Sequence, residues 1–278
     1  MSGEKLNISS HLNDHTYPWF LMRYPCLIRF VYFWNLHLLQ RNKVVKRALG
    51  NGLQKYPSGK VLDAGCGEGM HVLPVAPRFP AFKFFGLDKN KNHIDFCTKY
   101  SKTENVPNVL FVCHNITEKL PVQEINILLC IGTLQYVRND VKALCNFYNS
   151  MKSNGLAIIY TPINGQTILP VYRYFFDKKK HYEKSQNRER IYSAGEIISK
   201  LESAGFRIIE KEFTYGKIGV VAHEIYSLLL MGLSNSSVFS VIFVMLLIFF
   251  LPLILIFNFL DSLFVKGNGN GLLIIAQK

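Results

Sequence analysis

The chain has 278 residues, of which 49% are hydrophobic and 18% charged, with a formal net charge of +13 and a mean hydropathy of +0.13. That size and composition exclude a small disulfide-stapled scaffold, a long repeat array and a disordered chain, and they are apolar enough to point to lipid or a large partner. The positive charge is concentrated at the amino end, where residues 1–60 carry nine Lys or Arg against Glu4 and Asp14, a surplus that suits anionic headgroups or nucleic acid.

Met1 to His15 is polar, and no cleavable signal peptide is expected. Tyr17 to Leu39 holds both tryptophans and many other aromatics, with Arg23, Arg29 and His37 interleaved. The segment reads either as a helix lying in the headgroup region or as an ordinary helix covering the core. Arg41, Lys43, Lys46 and Arg47 extend its basic face. From Gly59 onward apolar runs alternate with polar helical stretches. Strands are expected over Lys60–Ala64, Phe82–Leu87, Val109–Cys113, Ile125–Ile131, Leu156–Thr161, Arg207–Phe213 and Leu272–Ala276. Helices are expected over Lys91–Tyr100, Asp140–Met151 and Ala194–Ala204, the last opened by a capping box of Ser193 and Glu196 and closed at Gly205. The alternation predicts an α/β fold, a doubly wound and mostly parallel sheet.

Residues 225–260 contain no charged side chain, and Val238 to Phe257 departs from Val, Ile, Leu and Phe only at Ser240, Met245 and Pro252. This 20-residue run matches a bilayer core, and at mid-bilayer its insertion is worth at most about 5 to 10 kcal/mol. A buried helical hairpin is the alternative. The division expected is an extension over 1–48, a main domain over 49–216, a hydrophobic insert over 217–266 and a final strand over 267–278. The six cysteines (Cys26, Cys66, Cys97, Cys113, Cys130, Cys145) form no CxxC pair and the histidines form no HExxH, so no metal site is expected and free, buried thiols in a reducing compartment are.

The chemistry concentrates in Val61-Leu62-Asp63-Ala64-Gly65-Cys66-Gly67-Glu68-Gly69-Met70. An apolar strand entering Gly-x-Gly-x-Gly makes a tight turn where bare backbone can approach a ligand. Met70 stands where a dinucleotide fingerprint needs its third spacing, so GxGxxG is absent. Phe84-Phe85-Gly86-Leu87-Asp88 ends the next strand on a carboxylate able to accept both hydroxyls of a ribose; capping the helix from Lys91 is the other reading of Asp88.

On these residues the sequence resembles the class I S-adenosylmethionine-dependent methyltransferases, over about residues 50–216 plus the last strand. The resemblance implies a Rossmann-like seven-stranded sheet with its last strand antiparallel, and S-adenosyl-L-methionine as cofactor. It implies that Gly65, Gly67 and Gly69 lie against the methionine part, that Asp63 orients the loop and the ammonium group, and that Asp88 binds the ribose. Asn115 stands where an Asp commonly binds the adenine amine, with Ile116 beside the ring. Ile131 and the following Gly132-Thr133-Leu134-Gln135-Tyr136 resemble the segment that shelves the cofactor and faces the substrate, although many relatives carry His where this chain has Tyr136.

A sulfonium methyl needs a nucleophile in line, and positioning and desolvation supply much of the catalysis. A general base is left open among His71, His114, Tyr136, Tyr172, Tyr174, His181 and Tyr182, with His114, Tyr136 and His181 the candidates carried forward. If the last strand is antiparallel, residues 215 and 270 emerge from one end of the sheet, so a single bilayer crossing is forbidden. A re-entrant or monotopic hairpin turning near Ser234–Ser237 is expected, because its first arm carries His223 and Glu224. The expected function is methyl transfer at a membrane, with the domain on the cytoplasmic side, membrane lipids as partners and an amphiphilic small molecule as acceptor, oxygen being the atom favoured. The alternatives are a soluble metabolite or a protein as substrate, or an inactive cofactor-binding scaffold. No nucleic-acid partner is expected, since the basic residues alternate with membrane-type aromatics and no (Asp/Asn)-Pro-Pro-aromatic motif occurs. The oligomeric state is left open.

Overall fold

The computed structural model describes residues 25–174, 189–233, 237–264 and 267–278. Two helices, α1 (Pro25–Leu38) and α2 (Gln40–Leu53), precede the alternating region. There follow β1 (Gly59–Ala64), β2 (Phe82–Asp88), α3 (Lys91–Thr103), β3 (Val109–Cys113), β4 (Ile125–Ile131), α4 (Asp140–Ser150) and β5 (Met151–Pro162). The chain ends with α5 (Ala194–Ser203), β6 (Arg207–Thr214), α6 (Lys217–Leu233), α7 (Ser237–Ser262) and β7 (Gly271–Gln277).

The seven strands lie in the order β3-β2-β1-β4-β5-β7-β6. The first five are parallel, and β7 runs antiparallel between β5 and β6. Both faces of the sheet are covered, so its central strands are apolar at successive positions rather than at alternate ones. Along β1, Val61 turns to one face and Leu62 to the other; along β5, Ile158 and Ile159 do the same. One face packs under α1, α2 and α3, with Ile28, Tyr32, Leu49 and Cys97 in its core. The other packs under α4 and α5, with Phe147, Tyr192 and Leu201.

Several boundaries have local causes. Asn90 caps α3, its side chain accepting from Asn92 N, while Asp88 is left to hold backbone of its own. Ser193 caps α5 by accepting from Glu196 N at 3.1 Å, but the Glu196 side chain pairs with Lys200, so only half of the expected box forms. Strand β5 begins five residues earlier than expected. Met151 pairs with Ile125 before an irregularity, and Asn154, at φ 62°, carries the chain into the regular ladder. Cys66, Cys97 and Cys130 are buried free thiols, whereas Cys113 lies exposed at the end of β3. That differs from the burial expected of it, because β3 is the edge strand.

The insert between β6 and β7 is a pair of packed helices. Its base is closed where Asn270 N donates to Tyr215 O and where Asp261 accepts from Gly216 N, so both ends do leave one edge of the sheet. Helix α6 is docked on protein. Its buried Glu224 accepts from Ile168 N at 2.9 Å and Leu169 N at 2.7 Å, which accounts for a carboxylate in that arm without any membrane pairing. Helix α7 packs through Ile254 and its neighbours onto Ala222 and Leu229, and its other sides are apolar and open: Met245 is 67% exposed, Ile248 65% and Phe249 75%. Among the described residues it alone is long and apolar enough to cross a membrane, with a mean hydropathy of 2.2 over Met245–Ser262.

Candidate functional site: the carboxyl edge between β1 and β4

Loops leaving β1, β2 and β4 meet at one edge of the sheet, the kind of crevice in which open α/β sheets bind ligands. The glycine turn after β1 is held from beneath. Gly65 N and Cys66 N both donate to Leu87 O, at 2.7 and 2.9 Å, and Gly67 N donates to Asp88 Oδ2 at 2.9 Å. All three glycines have positive φ, in the left-handed region open to glycine at little cost. Each has a different neighbourhood. A Cβ on Gly65 would stand 2.2 Å from Thr133 Cγ2, and one on Gly69 2.7 Å from Leu73 Cδ1, while a Cβ on Gly67 would meet nothing within 4 Å. Gly65 and Gly69 are thus glycines for packing, and Gly67 presents bare backbone to open space.

Asp88 uses one oxygen for Gly67 N and the other for Asn90 N. A carboxylate offers about four lone-pair directions, so capacity remains for a diol. Burial alone would raise its pKa, but the His93 ring 3.8 Å away and hydrogen bonds from Asn90 N and Gly67 N outweigh burial and hold it below the usual carboxylate range. Asp63 is the opposite case. It is 1% exposed, its Oδ2 is buried without a hydrogen-bond partner, and burial, with the nearby Asp88 charge, pushes its pKa up to about 7.

The remaining expected residues are placed less uniformly. Ile116 is buried against the α4 face. Asn115 is exposed, and its Oδ1 accepts from Thr117 N and Thr117 Oγ1 in a local turn, so the acceptor expected for an adenine amine is engaged there. Ile131 ends β4 half-buried beside the glycine-loop face. His114 follows β3, its backbone N donating to Asp88 O and its Nε2 buried without a partner; this puts it at the Asp88 end. Tyr136 lies on a single 3-10 turn after β4 and is 38% exposed. His181 and Tyr182 lie outside the described residues. Tyr172 is buried and Tyr174 exposed in the short helical stretch after β5.

The structure adds residues that sequence reasoning gave no role, Arg41, Tyr160 and Tyr215, and sets the base candidate His71 beside them. Arg41 of α2 places Nη1 3.7 Å from where a Cβ on Gly132 would stand, so the guanidinium overlooks the end of β4. No carboxylate lies within ion-pair distance of it among the described residues. Around it stand Tyr215, whose hydroxyl accepts from Arg41 N at 3.5 Å, and His71, held neutral by burial and by the Arg41 charge, with a pKa lowered to about 3. Tyr160 shares a 2.8 Å hydrogen bond with Thr214, and burial raises its pKa. The only hint in the sequence was that Arg41 belongs to the basic run after the aromatic segment.

This edge fits the cofactor that the glycine loop implies. An orphaned buried carboxylate oxygen at Asp63 suits an ammonium, the open backbone at Gly67 suits a ligand chain in close approach, Asp88 suits a ribose, and Arg41 suits a carboxylate.

A family model described as a methyltransferase domain matches residues 56–230. The chain belongs to the methyltransferase domain family. With that family stand the seven-stranded fold, with its antiparallel last strand, and the S-adenosyl-L-methionine cofactor expected from the glycine loop. Among proteins of known name, the chain is similar to a ubiquinone biosynthesis O-methyltransferase of Rickettsia akari, 28% identical over 102 residues, which are 37% of this chain and 39% of that protein. The chain therefore spans about two fifths of the length of such relatives. It is also similar to a malonyl-[acyl-carrier protein] O-methyltransferase of Bacillus anthracis, 23% identical over 186 residues, 64% of this chain and 66% of that one. Among solved structures, phosphoethanolamine N-methyltransferase 2 of Haemonchus contortus, in complex with S-adenosyl-L-methionine, shares the fold with a TM-score of 0.63 at 17% identity, over 100% of this chain and 61% of that one.

Proposed function

We propose that this protein is a membrane-associated S-adenosyl-L-methionine-dependent methyltransferase whose acceptor is a lipidic or lipid-linked small molecule, methylated on oxygen. Support for the membrane side comes from one observation above the rest: the open apolar faces of α7 belong to a hairpin rooted at the same sheet edge as the site. Gln40 Nε2 donates to Asn258 Oδ1 and Asp261 Oδ2 of α7, and Gln40 Oε1 accepts from Tyr215 N. Gln40 directly precedes Arg41, so the root of the hairpin and the cleft share a turn of helix. A surface held to a bilayer by α7 would keep this edge close to the headgroups, with the basic amino-terminal segment favouring an anionic, cytoplasmic leaflet. Oxygen as acceptor follows the two O-methyltransferases to which the chain is similar.

When bound, the cofactor supplies an electrophilic methyl group. The protein's own part is to orient and to exclude water. Asp88 would hold the ribose, the Gly65–Gly69 loop would lie against the methionine part, and Asp63 and Arg41 would offer opposite charges to its amino-acid end. Tyr160 and Tyr215 are buried close to Arg41, and positioning with exclusion of water would supply much of the catalysis. The phenols there are raised by burial and His71 is too weak a base, so the acceptor's proton is not assigned to these groups.

The test separates anchoring from folding. Deleting the whole insert would also remove Glu224 and Asp261, which hold the domain, so the better variant replaces the open face alone: Ile248→Lys with Phe249→Glu and Leu253→Lys. Sedimentation with vesicles should be lost while cofactor binding persists. Wild-type protein should transfer labelled methyl into a total lipid extract, and label confined to the aqueous fraction would refute the lipid acceptor.

A further inference from the structure

A concavity opens beside the glycine loop, between α1, α2, the segment at 71–78 and the end of α3, with a volume of about 770 Å³. Its size is that of a small-molecule site. The walls are apolar, formed by Val45, Leu49, Leu73, Val75 and Val106. Two buried tyrosines also line it: the Tyr32 hydroxyl is already spent on Glu68 O at 2.5 Å, and the Tyr100 ring stacks on Phe96. Three cations also line the space. Arg29 is neutralised by Glu104 at 3.5 Å, but Lys46 and Arg78 are exposed and have no carboxylate within ion-pair distance among the described residues.

We propose that this groove binds a single-chain anionic amphiphile of the fatty-acid class, its alkyl chain along the apolar walls and its carboxylate between Lys46 and Arg78. The charge pattern selects this occupant. A neutral hydrocarbon would leave both cations unused, and a small soluble anion would leave the walls wet; one apolar chain with one terminal anion satisfies both. The groove adjoins the cofactor site, since His71 lines both and Tyr32 holds Glu68 O of the glycine loop, but it shares no residue with the Asp63, Gly67 and Asp88 set, so cofactor binding is read separately in the test.

The experiment titrates amphipol-held, full-length protein with cis-parinaric acid and with its uncharged methyl ester, following probe fluorescence, with cofactor binding measured on the same samples. Saturable binding of the acid is expected, about tenfold tighter than the ester. Lys46→Glu combined with Arg78→Glu should weaken the acid by a similar factor without changing cofactor binding, and Val75→Trp should remove binding of both probes by filling the groove. Equal affinity for acid and ester, or undiminished acid binding in the double charge variant, would overturn the proposal. So would a tenfold gain in affinity on removing residues 1–16, which would give the groove to the chain's own amino-terminal segment.

Discussion

If Asp63 takes the cofactor's ammonium as proposed, its protonation and cofactor binding are coupled. Unfolded, its carboxyl titrates at 3.8; folded, at about 7. Between those values the folded state holds an extra proton, so the stability of the protein falls as pH rises from about 4 to about 7 and levels off above. Binding runs the other way. Pairing with an ammonium needs the anion, so cofactor affinity should rise about tenfold per pH unit below 7 and flatten beyond it. Calorimetry between pH 5.5 and 8 checks this; Asp63→Asn should bind weakly with no such slope, and a flat wild-type profile would remove Asp63 from the ammonium. Two glycines give a second contrast at this scale. Gly67→Ala should cost roughly 1 to 2 kcal/mol of stability through its positive φ alone while obstructing the ligand's approach. Gly69→Ala adds overlap with Leu73 and Cys97 and should lower the melting temperature further. Comparing thermal unfolding with cofactor affinity in the pair separates a glycine needed for a ligand from one needed for packing.

At the scale of elements, the stretch returning to α5 is pinned by one carboxylate oxygen. Asp140 Oδ2 receives Tyr192 OH, Lys200 Nζ and Arg190, each at 2.6 Å. Burial would raise the Asp140 pKa, but Lys200, Tyr192 and Arg190 hold it below the normal range. Its contribution is present above the unfolded pKa and is lost as pH falls through the lowered folded value. Asp140→Ala should destabilise by about 3 kcal/mol, since two partly buried cations each lose one of their partners and Tyr192 loses its acceptor, and Tyr192→Phe by about 1 kcal/mol; urea melts measure both. None of this was legible in the sequence, because residues 140, 192 and 200 meet only through tertiary structure. What was legible follows local rules. The strands showed as apolar runs because both sheet faces are covered, and α5 announced itself through Ser193. The glycine loop and Asp88 were legible because their spacing is fixed by a βα turn and the next parallel strand. Arg41, Tyr215 and Glu224 were not, since each acts across a long sequence separation on a group it does not neighbour. The apolar run at 238–257 falls within one long helix and its partner arm within another, as a hairpin requires; what the sequence did not show is that Glu224 of the first arm serves the backbone of residues 168 and 169.

For the whole molecule, the question is how an apolar hairpin and a polar cleft are held in one geometry. Gln40 answers for most of it, bridging Tyr215 after β6 to Asn258 and Asp261 at the root of α7. The fit is tight, for a Cβ on Gly219 would lie 2.5 Å from Asp261 Oδ2 and 2.6 Å from Gln40 Nε2. Gln40→Ala would leave Tyr215 N and Asn258 Oδ1 without these bonds, at a cost of about 2 to 3 kcal/mol, yet α7 would keep every apolar residue it exposes. If the hairpin serves only as an anchor, this variant should sediment with vesicles and bind cofactor like the wild type. The shared turn of α2 predicts otherwise: sedimentation retained, cofactor affinity lowered several-fold because Arg41 and Tyr215 lose their register over Gly132, and methyl transfer into lipid lowered further than affinity alone would explain. Measuring the three on one preparation distinguishes an anchor from a hairpin that also sets the site.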